Sequence, residues 1–289
     1  MKKIKEFYQI DAFTSKPFQG NAAGVVAADD LDAQEMQFIA REMNLSETAF
    51  LSSSDKADYH LRWFSPTVEI RLCGHATIAA LQFLTEKGKI RSGEEITFNT
   101  LSGLIKCKSE NGLYYMFLPI PEFIEFNTNR NEILATLGID LNSIDGSYPF
   151  LVTGEGYLYI FLKSLEQLTS LKPNFREMYQ FIEAKKELEA ITVFTTDTIE
   201  KGNAAHLRFF APNYGINEDP VTGSANGPLL LVLRKLKLID ENTEGKIFTF
   251  EQGDGIGKTG RVKVSFSPLK NELFIAGNAV TVFRGELSF

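Results

Sequence analysis

The chain has 289 residues, of which 44% are hydrophobic and 23% charged, a composition typical of a globular protein that stays in solution. Its formal net charge of −7 disfavours contact with a phosphate backbone, so we expect no nucleic-acid partner. The apolar runs are too short for a membrane span or a secretory signal, and the sequence therefore predicts a cytoplasmic protein that binds no membrane.

The first half of the chain combines strands with two helices of different character. Residues 32–44 carry apolar side chains at helical spacing, and Asp32 and Glu35 are spaced to form a capping box at the helix start. The run LCGHATIAALQFL, residues 72–84, predicts a helix that has no polar face and is therefore expected to be buried. Strands are predicted at residues 48–51, 96–108 and 114–119.

The second half repeats this plan. The motif LRWFSP at residues 61–66 recurs as LRFFAP at residues 207–212. Each copy is followed by a turn of small residues and an apolar helix, which in the second half covers residues 222–236. This half also contains a predicted amphipathic helix at residues 173–186 and predicted strands at residues 157–162, 191–194 and 261–266.

The repeat predicts an α+β protein with two similar domains, residues 1–120 and 121–289, each a barrel-like mixed sheet around a central buried helix. If the two halves face one another, the N-terminal ends of both central helices present free N–H groups to one cleft. Gly74 and Gly223 would let a ligand approach the backbone closely there. Such a cleft favours a small carboxylate as the substrate.

Several ionisable side chains lie near these helix starts, and each has two interpretations. His75 is either a hydrogen-bonded structural histidine or a catalytic one. A carboxylate at Glu218 or Asp219 either stabilises the helix dipole or orients a histidine. Glu47 taken alone is typical of a surface acid, and Cys73 is typical of a small buried side chain.

Other patterns predict the absence of cofactors and metals. Residues 255–260 fit the pattern G-x-G-x-x-G, but a strand follows instead of a helix, so we interpret them as a hairpin loop. The sequence contains no further cofactor motif, and we expect no cofactor. Its two cysteines and three histidines show no zinc-binding spacing, which predicts free thiols and no bound metal.

Five motifs, in the same order along the chain, resemble the signatures of the phenazine-biosynthesis-like (PhzF-like) isomerases, which are related to diaminopimelate epimerase and proline racemase. They are FQGN at residues 18–21, NLSETAF at 44–50, RWFSP at 62–66, LCGHAT at 72–77 and EDPVTGSA at 218–225. The resemblance implies two barrel-like domains with the active site between them, and a homodimer. In some relatives the last strand returns to the first domain, as residues 276–289 could do here.

The resemblance also implies residue roles. The family's proton-shuttling glutamate matches Glu47, and its catalytic histidine and aspartate match His75 and Asp219. The family's substrate-contacting serine matches Ser224, and we expect Asn21, Gly74, Thr222 and Gly223 to bind substrate as well. The related racemases use two cysteines, whereas this chain has Cys73 and Thr222, and a threonine hydroxyl is too weak an acid to replace a thiol. Asn226 stands where the family usually has a histidine, so the substrate does not follow from the family name.

We therefore expect a cofactor-independent isomerase that relocates a proton on a small carboxylated metabolite, with Glu47 as acid and base. Two alternatives stay open at the level of the sequence. One is an epimerase that uses Cys73 as its single thiol, and the other is a small-molecule-binding protein without turnover.

Overall fold

A computed structural model describes residues 3–127 and 129–289, so the predicted domains include three positions, Met1, Lys2 and Thr128, that lie outside the described residues. The described chain divides into two compact units. The first comprises the described residues up to Leu118 together with Phe274–Phe289, and the second comprises Pro119–Leu273.

The first unit is a mixed sheet with two helices. Its strands are β1 (Ile4–Ala12), β2 (Asn21–Ala27), β3 (Glu47–Ser52), β4 (Tyr59–Phe64), β5 (Glu69–Ile70), β6 (Glu95–Thr100), β7 (Gly103–Glu110), β8 (Leu113–Leu118) and β18 (Ala279–Ser288), and its helices are α1 (Ala33–Met43) and α2 (Gly74–Glu86). The strands pair in the order β18-β1-β2-β3-β4-β6-β7-β8. The β2–β3 and β4–β6 pairs are parallel and the others are antiparallel.

Helix α2 is the centre of the first unit. It contacts β18, β1, β2, β3 and β8, which include both ends of the pairing order, so the sheet curls around it. Ten of its 13 residues are buried, as expected for a helix without a polar face. Fully buried side chains such as Ile78 and Leu81 each stabilise this packing by about 1.5–3 kcal/mol. The prediction of a buried central helix is confirmed.

Helix α1 packs on the outside of the sheet and leads the chain into β3. The predicted capping box is confirmed: Asp32 Oδ1 accepts from the Glu35 backbone N–H at 2.9 Å, and Glu35 Oε2 accepts from the Asp32 N–H at 3.0 Å. The helix ends at Asn44, whose backbone is left-handed with φ = 50°. Asparagine tolerates this conformation better than most residues, and the turn delivers Glu47 as the first residue of β3.

The second unit is also a mixed sheet, and its described residues form four α-helices. Its strands are β9 (Phe123–Glu125), β10 (Leu151–Thr153), β11 (Tyr157–Phe161), β12 (Ala190–Thr195), β13 (Ala205–Ala211), β14 (Ile216–Asp219), β15 (Phe248–Gln252) and β16 (Gly260–Ser267), followed by β17 (Glu272–Gly277), which spans the unit boundary. Its helices are α3 (Arg130–Thr136), α4 (Leu165–Ser170), α5 (Phe175–Glu183) and α6 (Gly223–Lys235). Helix α6 is buried along ten of its 13 residues and contacts β11 and β16.

The two units share one arrangement of strands. In the first unit the pairs β2–β3, β3–β4, β4–β6 and β6–β7 are parallel, antiparallel, parallel and antiparallel. The second unit has the same alternation in β11–β12, β12–β13, β13–β15 and β15–β16. In both units the central helix follows a short strand that pairs antiparallel with the strand before it, β5 in the first unit and β14 in the second. This correspondence and the two buried helices confirm the predicted α+β class.

The repeated LRWF and LRFF motifs have the same structural function in the two units. Arg62 on β4 forms two hydrogen bonds with the Glu69 carboxylate, at 2.7 and 2.8 Å. Arg208 on β13 forms the equivalent pair with Glu218, at 2.8 and 2.7 Å. Both pairs are mostly buried, so removing one partner would leave an uncompensated charge. Glu218 is therefore a structural partner of Arg208.

Two local predictions need comment. The predicted single strand at residues 96–108 is wrong, because residues 101 and 102 form a tight turn that divides the run into the antiparallel strands β6 and β7. The interpretation of residues 255–260 as a hairpin loop is confirmed, since they connect the antiparallel strands β15 and β16.

Both cysteines are free thiols and are buried. None of the described helices combines the length and the apolar character needed to cross a membrane.

Candidate active site

In the first unit, Glu47, Cys73 and His75 form a buried cluster. Glu47 begins β3, and His75 is the second residue of α2. Glu47 Oε2 lies 3.1 Å from His75 Nε2, and Cys73 Sγ lies 3.5 Å from Nδ1, the other nitrogen of the same ring. Glu47 and His75 are 7% and 4% exposed, so water screens their interaction weakly. The structure thus places an imidazole between a thiol and a carboxylate.

Two polar neighbours complete this cluster. Asn21, the first residue of β2, places its side-chain Nδ2 3.2 Å from His75 Nδ1. Ser46 Oγ lies 3.4 Å from His75 Nε2 and donates to Asn21 Oδ1 at 3.3 Å. Asn21 and Gly74, both predicted to bind substrate, therefore lie beside predicted catalytic residues in the first unit.

The electrostatics of the cluster follow from burial and from the neighbouring groups. Burial alone disfavours the charged imidazole, but the sulfur of Cys73 and the carboxylate of Glu47 together raise the pKa of His75 well above its ordinary value. Burial raises the pKa of the Cys73 thiol to about 11, against the opposing effect of His75. Cys73 is therefore a neutral thiol near pH 7.

One oxygen of Glu47 lacks a well-directed hydrogen-bond donor. Oε2 is buried and accepts no well-directed hydrogen bond from the described residues, although His75 Nε2 lies 3.1 Å away. A buried carboxylate oxygen is normally satisfied by donors, because leaving it unpaired costs about 1–3 kcal/mol or more. An exception of this kind is expected where the oxygen must take up a proton.

Glu47, Cys73 and His75 are also residue types that bind metal ions. One potential ligand atom from each of Glu47, Cys73 and His75 lies within 4.8 Å of the others. The thiol faces Nδ1 and the carboxylate faces Nε2, however, and one metal ion binds a single nitrogen of a histidine ring. The arrangement fits a chain of proton donors and acceptors better than a chelate.

In the second unit, the start of α6 carries the remaining predicted residues. Asp219 ends β14 and is buried, and its Oδ2 accepts a hydrogen bond from Thr222 Oγ1 at 2.5 Å. Thr222 precedes α6, and Gly223 is its first residue. Ser224 is only half-buried, and its Oγ lies 3.4 Å from the hydroxyl of Tyr157. The Thr222 hydroxyl is thus engaged with Asp219, whereas Ser224 is the accessible side chain.

Gln252, at the end of β15, holds the turn before α6 in place, and the sequence alone did not identify it. Its Oε1 accepts from the Thr222 backbone N–H at 2.9 Å and from Asn226 Nδ2 at 2.8 Å. Its Nε2 donates to the Asp219 carbonyl at 2.9 Å and to Thr222 Oγ1 at 3.1 Å. Asn226, at the position where a family histidine was expected, thus belongs to the support of the turn. A lone glutamine in a strand gives no signal of this role.

We expect Gln252→Ala to lower the free energy of unfolding by about 3 kcal/mol, because it leaves several buried polar groups without partners. Urea denaturation of both proteins measures the difference. Gln180→Ala is the matched control: it is the same change at an exposed position of α5 and should leave the free energy of unfolding nearly unchanged. Equal stability of Gln252→Ala and the parent protein would contradict this role.

The first turns of α2 and α6 are both suited to anions. Neither Cys73 nor Thr222, which precede the two helices, provides a side-chain capping bond. The first N–H groups of a helix have no intrahelical acceptor and carry part of the positive end of the helix dipole. Each helix start therefore offers backbone donors to a negatively charged group.

Comparison with known proteins identifies the family. A family model described as phenazine biosynthesis-like protein (PhzC-PhzF) matches residues 10–285. The chain belongs to the phenazine biosynthesis-like family. A relative from Clostridium acetobutylicum, named an uncharacterized isomerase, is 38% identical to this phenazine biosynthesis-like protein over 299 aligned positions, which cover 97% of each chain. Relatives of comparable similarity also carry the name isomerase, and the protein is an isomerase.

Solved structures show the fold of the phenazine biosynthesis-like protein over almost its whole length. The crystal structure of a PhzF-family phenazine biosynthesis protein from Bacillus anthracis is 31% identical, with a TM-score of 0.89 and coverage of 99% of both chains. A hydroxyproline epimerase from Agrobacterium vitis is 11% identical, with a TM-score of 0.60, and covers 99% of this chain and 93% of its own. This second likeness concerns the fold alone. Together they confirm the diaminopimelate-epimerase-like fold class.

Proposed function

We propose that this isomerase relocates a proton on a small carboxylated metabolite without a cofactor, and that Glu47 is the group that carries the proton. The observation that supports this proposal is the buried Oε2 of Glu47, for which the described part of the chain provides no well-directed donor and which lies 3.1 Å from the ring of His75. A carboxylate held in this way has a free lone pair for a substrate proton.

The proposed reaction has two proton transfers. Glu47 Oε2 takes a proton from a carbon next to an unsaturated or carbonyl group, so a C–H bond breaks and an O–H bond forms, while the electron pair delocalises into the substrate. The carboxylic acid then returns the proton to another carbon of the same substrate, and Glu47 is regenerated. A positioned acid or base of this kind contributes about 10²–10⁴-fold to the rate.

The other predicted residues are proposed to bind and polarise the substrate. Backbone N–H groups at Gly74 and Gly223 are suited to hold negative charge, and the half-buried Ser224 hydroxyl is suited to donate to a substrate oxygen. Asp219 is proposed to take part in the same reaction, held by Thr222. A homodimer and a cytoplasmic location are further proposals, which are based on the family resemblance and on composition.

The proposal is tested with a panel of small carboxylic acids that carry a C–H bond beside a double bond or carbonyl group. Each acid is incubated with the full chain in D₂O and followed by proton NMR and mass spectrometry. We expect at least one acid to gain deuterium or to convert to an isomer. Saturable binding of a panel member without exchange or product would instead support the binding-protein alternative.

Cys73 provides the test against the single-thiol alternative. A thiol base must be ionised, and with a pKa of about 11 only about one Cys73 in 10⁴ is a thiolate at pH 7. We therefore expect Cys73→Ser to lower kcat/KM on a turned-over panel acid by less than about tenfold, whereas loss of an essential acid or base costs about 10²–10⁴-fold. A loss for Cys73→Ser as large as that for Glu47→Gln would favour the epimerase.

A further inference from the structure

The two nitrogens of His75 have chemically opposite surroundings. The groups at Nδ1 are the amide Nδ2 of Asn21, at 3.2 Å, and the thiol of Cys73, at 3.5 Å, and both carry hydrogens to donate. The groups at Nε2 are the Glu47 carboxylate, at 3.1 Å, and the Ser46 oxygen, at 3.4 Å. Glu47, from β3, and Cys73, the residue before α2, are titratable groups of the described chain that face the ring.

We infer that Asn21 is a positioning residue, whose side-chain N–H holds neutral His75 with its proton on Nε2, the nitrogen that faces Glu47. A neutral imidazole has one N–H and one lone pair, and each must match its neighbours. A lone pair on Nε2 would oppose the Glu47 carboxylate, and an N–H on Nδ1 would oppose the Asn21 amide hydrogens. Only the Nε2–H form satisfies both sides.

Ser46 Oγ supports this orientation of the Asn21 amide. It lies 3.3 Å from Asn21 Oδ1 and 3.4 Å from the Ala22 carbonyl oxygen, and a hydrogen donated to Oδ1 turns Nδ2 towards the ring. When that hydrogen is donated to Asn21, the Ser46 oxygen can accept from His75 Nε2. Asn21 is 2% exposed, so bulk water does not replace these contacts.

This arrangement assigns separate tasks to the two candidate catalytic side chains. With its proton on Nε2, His75 presents positive hydrogen to Glu47 and has no lone pair directed at that carboxylate. The lone pair on Nδ1 faces Asn21 and Cys73 instead. Glu47 is then the base of the pair. The catalytic role of this arrangement rests on the proposed function, in which Glu47 is the base. The position of the proton on His75 can nevertheless be measured without any substrate.

The test uses the full chain with nitrogen-15 label in its histidines and long-range proton–nitrogen NMR, over a pH titration that reaches the neutral form of His75. His75→Gln assigns the signals, and His60 and His206, the other two histidines, are internal controls. We expect Nδ1 to give the shift of a nitrogen with a lone pair, and Nε2 that of a protonated nitrogen. Asn21→Asp replaces the donor by an acceptor with little change of shape and should move the Nδ1 shift towards that of a protonated nitrogen, while Glu47 keeps the proton on Nε2 and the controls stay unchanged.

Two outcomes would overturn the inference: a parent spectrum in which neutral His75 carries its proton on Nδ1, and unchanged His75 shifts in Asn21→Asp. If Asn21→Asp does not fold, the parent spectrum still decides, and Asn21→Ala should increase the fraction of neutral His75 that carries its proton on Nδ1. A panel of acids that shows no turnover would contradict the proposed function and leave this measurement unaffected. A merely structural role of Asn21 would change stability without moving the Nδ1 shift of His75.

Discussion

Glu47→Gln lowers kcat/KM on any acid that the parent protein turns over by about 10²–10⁴-fold, since the amide cannot take up a proton in the transition state. The variant should still fold, because glutamine has nearly the shape of glutamate and does not add charge to a buried site. The same replacement removes the carboxylate that raises the pKa of His75, so the pKa of that ring should fall. Deuterium exchange measures the first effect, and NMR titration of His75 measures the second.

The matched control is Glu42→Gln, an identical chemical change at an exposed position of α1. It should leave exchange and the His75 titration within error of the parent protein. If Glu47→Gln retained full exchange while its His75 pKa fell as expected, the carboxylate would be an electrostatic partner of the ring and another group would be the base. That result would contradict the proposed function and leave the geometry of the cluster intact.

Gly253→Ala should be among the most destabilising single substitutions in the second unit. Gly253 has φ = +87°, which costs an alanine about 1–2 kcal/mol. A Cβ atom there would also lie 2.2 Å from the Lys258 carbonyl oxygen and 2.7 Å from that of Pro220, and backbone cannot move away as a flexible side chain can. Overpacking of this kind adds about 1–3 kcal/mol, so we expect a total loss of about 2–5 kcal/mol.

Gly257→Ala separates the two causes. Gly257 has φ = +69°, but a Cβ atom there meets nothing within 4 Å, so only the backbone cost of about 1–2 kcal/mol applies. Urea denaturation of both variants measures the difference. Because Gly253 follows Gln252, the displaced loop should also disturb the turn at Asp219, and binding of a carboxylate should weaken in Gly253→Ala alone. Equal stability of the two variants would exclude the steric explanation.

The duplicated architecture was accessible from sequence because the same physical requirements act twice. A helix that is apolar on all sides must be enclosed, and the LRWF and LRFF motifs each place an arginine where a glutamate reaches it. Periodicity does not reveal short turns of ordinary residues, which is why the turn between β6 and β7 was missed: residues 101 and 102, Leu and Ser, look like part of a strand.

The candidate site could be predicted from the sequence only in part. Gly74 and Gly223 mark the helix starts directly, but Glu47 was identified only through its family motif, since one acid before a strand is typical of a surface residue. The roles of Asn21 and Gln252 depend on which residues the sheet register brings together. Asn21 meets His75 across 54 positions of sequence, and Gln252 meets Thr222 across 30, and no local pattern encodes such distances.

The pairing of β18 with β1 has a consequence for synthesis on the ribosome. The second unit is one continuous stretch, whereas the first needs Phe274–Phe289 to supply the strand beside β1 and part of the cover over α2. The residues up to Leu118 are translated first, and β1 keeps an unpaired hydrogen-bonding edge until Phe274–Phe289 has been made. In the meantime the whole of Pro119–Leu273 leaves the ribosome and can form its own core. Vectorial translation thus favours completion of the inserted unit before the enclosing one.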